Sequence, residues 1–317
     1  MANVACVTSS RVDHPARATD QPTRDWTAIA AVGVTLVLWA SAFVAIRHLG
    51  PDFGAGSLSL GRCLVASLLL GILSVSRGLT PVQRRDWWRL GVIGVLWYAV
   101  YNLALNEGER HVDAGTAALL LQFSPLMLAV LAALVLHEPF TRTLGIGLVI
   151  SLVGVAAIAS SGDATGANTR PVLGSALCLV SALVYSVSVV VQKPMMTRLP
   201  AIQVTWLACT VGAVACLPWA GDLVHDVGAA PASSVWWVVY LGAFPTAIGF
   251  TTYAYALSRM SATQLGVTTY LVPVVTIVLA WLLLSEAPAP LAYAGGALTL
   301  VGVALARRRP RRARASG

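Results

Sequence analysis

Two stretches of this 317-residue chain carry one apolar signature: Pro125 stands 13 residues before Glu138, and Pro273 stands 13 residues before Glu286. A single offset of 148 residues superposes both pairs, and it also lays Trp88 on Trp236 and Ala114 on Ala262. The chain is therefore written twice, and it must fold as two like units that share one interface.

Composition decides the solvent in which those units fold. Hydrophobic residues make up 57% of the chain and charged residues 11%, with a mean hydropathy of +0.76; soluble domains carry about 25% charged residues. Apolar runs of span length recur from end to end, at 26–47, 56–76, 88–106, 113–136, 143–161, 171–192, 202–219, 235–257, 262–285 and 289–306. They are continuous and do not alternate with strand period, which excludes a β-barrel. The expected fold is an all-α membrane protein of ten transmembrane helices, five in each repeat. The units are a first repeat over 26–161 and a second over 171–306. They are flanked by a polar, disordered tail (1–25), which lacks the apolar core of a secretory signal, and by a basic tail (307–317). The five cysteines show no paired or metal-ligand spacing and read as small packing residues.

Charge sets the orientation. With both termini cytoplasmic, the inner side receives Arg11, Arg17 and Arg24; Arg77, Arg84, Arg85 and Arg89; Arg142; Lys193 and Arg198; Arg259; and the six arginines between Arg307 and Arg314, in all 17 of the 21 basic residues. An odd number of helices per repeat then inserts the second copy upside down, so the repeats are inverted, with Glu138 facing inward and Glu286 outward. An inverted repeat is the ground plan of a secondary transporter, whose site lies between the halves. The net charge of +8 is a topology signal reinforced by anionic inner-leaflet lipid, and no nucleic-acid partner is expected.

The motifs Trp39-Ala-Ser-Ala-Phe43, Gly61-Arg62 and Ala104-Leu-Asn-Glu-Gly-Glu-Arg-His-Val-Asp-Ala114 follow in order through the first half. Ser124-Pro125 with His137-Glu138-Pro139 closes that half, and Val272-Pro273 with Ser285-Glu286 closes the second. Over about residues 26–306 the chain resembles the drug/metabolite transporter superfamily in its EamA-type, ten-helix branch. The resemblance implies the fold and a transport role, with substrates ranging over amino acids, sugars, nucleotide-like metabolites and toxic organic compounds. It departs at Tyr185-Ser186-Val187-Ser188, which stands where the family carries a tryptophan motif.

Polar groups in hydrocarbon are costly unless they meet partners or face a cavity, so helical stripes of them mark candidate paths. One stripe is Tyr98, Asn102 and Asn106, flanked by Tyr101; another is Ser181, Tyr185, Ser188 and Gln192. Interhelical hydrogen bonding is the alternative use of both stripes. Thr246, Phe250 and Tyr253 share a face of the eighth span, and Tyr270 and Pro273 lie one repeat offset beyond Gln122 and Pro125. The prolines suit a hinge, a cavity-lining carbonyl or a static bend. Trp39 and Phe43 share a face suited to gripping a ligand or to core packing. Trp87, Trp88, Trp236 and Trp237 read as interfacial anchors. Arg62, two turns into the second span, needs either backbone carbonyls near the boundary or an anionic substrate group. For Glu138 and Glu286 the family position implies helix-end hydrogen bonding and gate closure.

No phosphate-binding loop is present, no zinc-protease helix or nucleophile elbow appears, and neither metal nor cofactor is expected, so the chain does not read as an enzyme. No Asp or Glu falls at mid-depth in any span; Glu107 and Glu109 lie at the mouth. The expected function is alternating-access export of a small neutral or zwitterionic metabolite, an amino acid or relative, by a monomer or homodimer in a bacterial plasma membrane. A non-transporting scaffold or sensor is the alternative; it would tolerate apolar replacement of Asn102, Asn106 and Tyr185.

Overall fold

The computed structural model describes residues 25–135, 142–161, 170–260, 265 and 268–306. Among them all regular structure is helical: α1 (Trp26–Leu49), α2 (Ala55–Ser76), α3 (Arg84–Gly108), α4 (Ala114–Leu121), α5 (Ser124–Val135), α6 (Arg142–Ser160), α7 (Pro171–Gln192), α8 (Ala201–Ala215), α9 (Ala220–Ala229), α10 (Ala232–Arg259), α11 (Leu271–Leu284) and α12 (Pro290–Ala306). Six are long and apolar enough to cross a membrane, and a seventh span results if α8 and the Leu217–Ala229 segment count as one element bent by 57°. That bend falls at Pro218, whose missing N–H cannot continue the ladder of α8. The span expected at 113–136 is likewise broken, by a turn at Gln122 and Phe123 that separates α4 from α5 just before Pro125.

Local chemistry fixes the helix ends. Asp25 caps α1, accepting from the N–H groups of Thr27 and Ala28 at 3.1 and 3.2 Å. The Thr27 and Ala28 donors, with Arg259 nearby, hold its carboxyl below the usual carboxylate range. Asp113 caps α4 through Thr116, whose N–H donates at 2.8 Å. Ser285 ends α11 in the left-handed region (φ 55°) and turns the chain so that Glu286 leaves at a sharp corner.

Apolar side chains at three- or four-residue spacing remain exposed along the outside of the bundle: Leu64, Leu68, Ile72 and Val75 on α2; Ile146, Val149 and Val153 on α6; Leu271, Val274, Val278 and Trp281 on α11. Contiguous apolar faces of this extent have no place in water and suit lipid. Trp87, Trp88 and Trp236 are exposed near the starts of α3 and α10, and Trp237 sits at the margin of exposure.

The repeat offset governs the packing. Ser151 on α6 and Thr299 on α12 are repeat equivalents, and they meet: the Ser151 hydroxyl donates to the Thr299 carbonyl at 3.1 Å, and the Thr299 hydroxyl lies 3.5 Å from the Ser151 carbonyl. On one side of this contact Gly147 faces Gly302, and on the other Gly154 faces Gly295. Partner numbers fall as residue numbers rise, so the two helices run antiparallel about a local twofold axis. A Cβ at any of these four glycines would overlap the opposite backbone, the close approach that small residues allow where lipid supplies no hydrophobic drive between helices.

A second pair of equivalents departs from α geometry. Residues Gly94–Val100 in α3 and Gly242–Gly249 in α10 form π-helical segments, and their first residues are one offset apart. Gly94 presses on Val211 and the Ala208 carbonyl of α8, while Gly242 presses on Val65 and the Arg62 carbonyl of α2. Each wide turn thus lets a helix of one half dock against a helix of the other. Wide turns misalign carbonyls, and side chains collect them: Asn102 Nδ2 donates to the Tyr98 carbonyl at 2.8 Å, and Thr246 Oγ1 donates to the Leu241 carbonyl at 2.7 Å.

Candidate functional site

The two helix breaks confront each other. Gln122, at the α4–α5 turn, donates from Nε2 to the carbonyl of Thr269, at the turn before α11, at 3.2 Å. Together with α1, α2, α3, α7 and α10 these turns enclose a chamber. Its walls include Trp39, Phe43, Ile46, Arg62, Tyr101, Leu105, Gln122 and Ser124 from the first half, and Tyr185, Phe250, Thr269 and Val272 from the second. Room for the centre of a water molecule amounts to about 50 Å³, enough for a few waters. Broken helices meeting between two halves are the usual setting of a transporter site, because the breaks expose backbone and polar side chains without facing lipid.

An aromatic cluster forms one side of the chamber. Trp39 stacks on Tyr253 with centroids 4.9 Å apart and leans on Phe250 at 5.4 Å. Trp97 stands edge-on to Tyr185 at 5.2 Å and to Phe250 at 5.1 Å. The hydroxyls of Tyr185 and Tyr253 share a 2.7 Å hydrogen bond. Each ring pair contributes about 0.5–1.5 kcal/mol beyond its buried area, so the cluster is a firm wall.

Arg62 enters from α2. It is 3% exposed, and its Nε donates to the Thr246 hydroxyl at 3.0 Å, on the π segment of the other half. Its Nη1 is buried without a hydrogen-bond partner, as are Trp39 Nε1 and Gln122 Oε1. From sequence Arg62 needs backbone carbonyls or an anionic substrate group; among the described residues its hydrogen bond goes to a side chain.

Both ends of α3 are tied. At its start, buried Asp86 receives Arg198 at 2.7 Å and Arg89 at 2.9 Å. Just past its end, Arg47 donates from Nη1 to the Glu109 carbonyl at 2.9 Å while its Nε pairs with Glu286 at 3.0 Å. Glu109 itself is 1% exposed, and neither carboxylate oxygen has a hydrogen-bond partner.

Most residues singled out from sequence fall into three groups. Trp39, Phe43, Arg62, Tyr101, Gln122, Tyr185 and Phe250 stand on the chamber wall. Tyr98, Thr246 and Tyr253 support it from behind: Tyr98 contacts Phe250 at 5.0 Å, Thr246 holds Arg62, and Tyr253 braces Trp39 and Tyr185. Asn102, Asn106, Ser188 and Gln192 stand off it, with donors turned to Tyr98, Ser59, Val184 and Met196 respectively. Tyr270 is the cap residue of α11, Pro273 is buried in its first turn, and Pro125 lies in the first turn of α5. Glu286 is in the Arg47 pair, and Glu138 lies outside the described residues. Ser124, noted only as part of the Ser124-Pro125 motif, and Thr269 were not expected on a cavity wall, although each lies within four residues of a proline in the first turn of a helix.

The chain matches the EamA-like transporter family over residues 26–160 and 172–308. It is 38% identical over 282 residues to a protein of Streptantibioticus cattleyicolor named a probable terminal-alkyne amino-acid exporter, covering 89% of this chain and 94% of that one. It is 32% identical over 269 residues to an uncharacterized transporter, YdfC, of Bacillus subtilis, covering 84% and 86%. A solved crystal structure at 21% identity superposes with a TM-score of 0.59 over 89% of this chain and 96% of that one, which extends the likeness to the fold. Two matched segments, each the length of one repeat, account for nearly the whole described chain: it belongs to the EamA-like transporter family.

Proposed function

We propose that this protein is an alternating-access exporter of a small zwitterionic metabolite, an amino acid or close relative, in a bacterial plasma membrane. In this reading ten helices form two inverted five-helix halves with both termini cytoplasmic, and the halves rock about the chamber. The antiparallel α6–α12 crossing supports the inversion, and the basic residues support the orientation. The observation that carries the reading is the chamber itself, where rings from both halves meet unpartnered polar atoms of the first half beside two helix breaks. An aromatic and amide wall suits a compact molecule with one apolar side and few polar groups. The name of the Streptantibioticus relative points the same way.

Because the chamber has room for only a few waters as it stands, we infer that a metabolite is admitted when one of the tied ends of α3 opens. Release of the Asp86 cluster would open one end, and release of the Arg47–Glu286 pair the other. Purified protein in proteoliposomes should carry aliphatic L-amino acids, L-norvaline and L-propargylglycine among them, in counterflow. Absence of flux across a full amino-acid panel would overturn the reading. Orientation has its own test in a Cys6→Ala background, since Cys63, Cys178, Cys209 and Cys216 are buried. Thr197→Cys should resist, and Asp222→Cys accept, an impermeant thiol reagent applied to whole cells; the reverse would invert the topology.

A further inference from the structure

The buried guanidinium of Arg62 is only half engaged. One nitrogen is spent on Thr246, whose own hydroxyl proton goes to the Leu241 carbonyl, so the hydroxyl can accept but contributes no negative charge. Nη1 has no partner, and among the described residues Arg62 forms no ion pair. No Asp or Glu stands on the chamber wall beside it. The buried Glu109 carboxyl lies within electrostatic reach of Arg62 but neither hydrogen-bonds nor ion-pairs with it. A desolvated cation without a hydrogen-bonded counter-charge is unfavourable, and guanidinium geometry matches a carboxylate in particular, with two parallel N–H donors for two oxygens.

The same wall carries the complementary groups. Gln122 Oε1 is a buried acceptor without a partner, and the faces of Trp39, Tyr185 and Phe250 attract cations. Neither matches Arg62 as an anion receptor, since both are uncharged and Gln122 Nε2 already donates to the Thr269 carbonyl, and Arg62 could not hold an ammonium group.

We propose that Arg62 is the receptor for the substrate carboxylate, with Gln122 and the Trp39 ring receiving the substrate ammonium, so that the chamber selects free α-amino acids over their amides and decarboxylated amines. This rests on the transport reading above and deepens it. Thr246 then acts as a positioning residue: it holds Nε and leaves the remaining nitrogens to the ligand. The same bond crosses from one half to the other, so a carboxylate seated on Arg62 is sensed by the π segment of α10.

The test uses wild-type protein first, so that no variant has to fold. L-norvaline, norvalinamide and n-butylamine share one side chain and differ in the carboxylate, and each is offered in proteoliposome counterflow. L-norvaline should be carried at least about tenfold faster than the other two, the worth of a charge-assisted bidentate contact. Arg62→Gln should lose that preference together with about nine-tenths or more of norvaline flux, and Arg62→Lys should restore part of it. Equal carriage of norvaline and norvalinamide by the wild type, or an Arg62→Gln variant that still discriminates, would overturn the carboxylate assignment while leaving the transporter reading intact. Failure of the whole amino-acid panel would overturn both.

Discussion

The α6–α12 crossing and the chamber are governed by the same 148-residue offset, and they use it in opposite ways. At the crossing, equivalents are alike: Gly147 matches Gly295, Gly154 matches Gly302, and Ser151 matches Thr299. Each copy presents the same surface to the other, as a twofold contact requires. Around the chamber equivalents diverge: Trp97 corresponds to Pro245, Tyr101 to Gly249, Asn102 to Phe250, and Arg62 to Thr210. The proposed zwitterionic substrate has no twofold symmetry, so a site that gripped it would have to break the symmetry of the halves that build it. The scaffold keeps the duplication and the site discards it.

Breaking the symmetric region should have the largest effect. Gly154→Leu places a side chain against the backbone of Gly295 and the side chain of Thr299, and overpacking of this kind costs about 1–3 kcal/mol or more where neither helix can yield. The variant is expected to lose most folded material in detergent, read by size-exclusion recovery and melting temperature, and flux should fall in proportion. A variant that melts like the wild type would show that the crossing is not a rigid support.

The Arg47–Glu286 pair is an asymmetric feature and should answer more mildly. Arg47 corresponds to Met195, so the Arg47–Glu286 pair has no equivalent at the other end. A partly exposed pair contributes about 1 kcal/mol or less. Glu286→Gln should therefore leave folding intact and favour opening by about fivefold. The reporter is a cysteine at Ile46, on the chamber wall, in a Cys6→Ala background: its labelling from outside should quicken by that factor. An unchanged rate would remove the pair from gating.

Sequence alone carried the scaffold further than the site. Apolar runs punctuated by glycine, proline and charge are local signals, and they located most helices, the α4–α5 region and the 202–219 stretch that proved bent. The polar stripe Tyr98, Asn102, Asn106 was read with ordinary helical period, and here local reasoning met a nonlocal device. The π segment of α3 widens the turn just before Asn102, which changes the face each later residue presents. Tyr101 reaches the chamber wall, while Asn102 is recruited to the carbonyl that the wide turn displaced. Nothing in the composition of Gly94–Val100 marks it as π-helical; the clue is the glycine recurring at Gly242, visible only once the repeat is aligned. The free nitrogen of Arg62 was illegible for a similar reason, because its partner Thr246 comes from the other half of the chain.

The subtlest difference between the two regions concerns pH. No ionisable side chain takes part in the α6–α12 contacts of Gly147, Ser151 and Gly154, whereas the chamber side carries Glu109, whose equivalent is Leu257. Burial pushes the Glu109 carboxyl well above its ordinary value of 4.5; Arg47 and Arg62 pull it back down, Glu286 and Asp113 push it further up, and desolvation dominates. The folded protein thus favours the protonated acid, while the unfolded chain ionises near pH 4.5. The stability tied to this proton is complete below that pH and is lost as pH rises through the folded value, at no more than about 1.4 kcal/mol per pH unit. Glu109→Gln mimics the neutral acid and cannot ionise. Its melting temperature should match the wild type at about pH 5 and exceed it by a few degrees toward pH 9. Parallel curves would mean that the carboxylate is charged and compensated by Arg47 and Arg62, and the pH sensitivity would then have to be sought at the Asp86 end of α3.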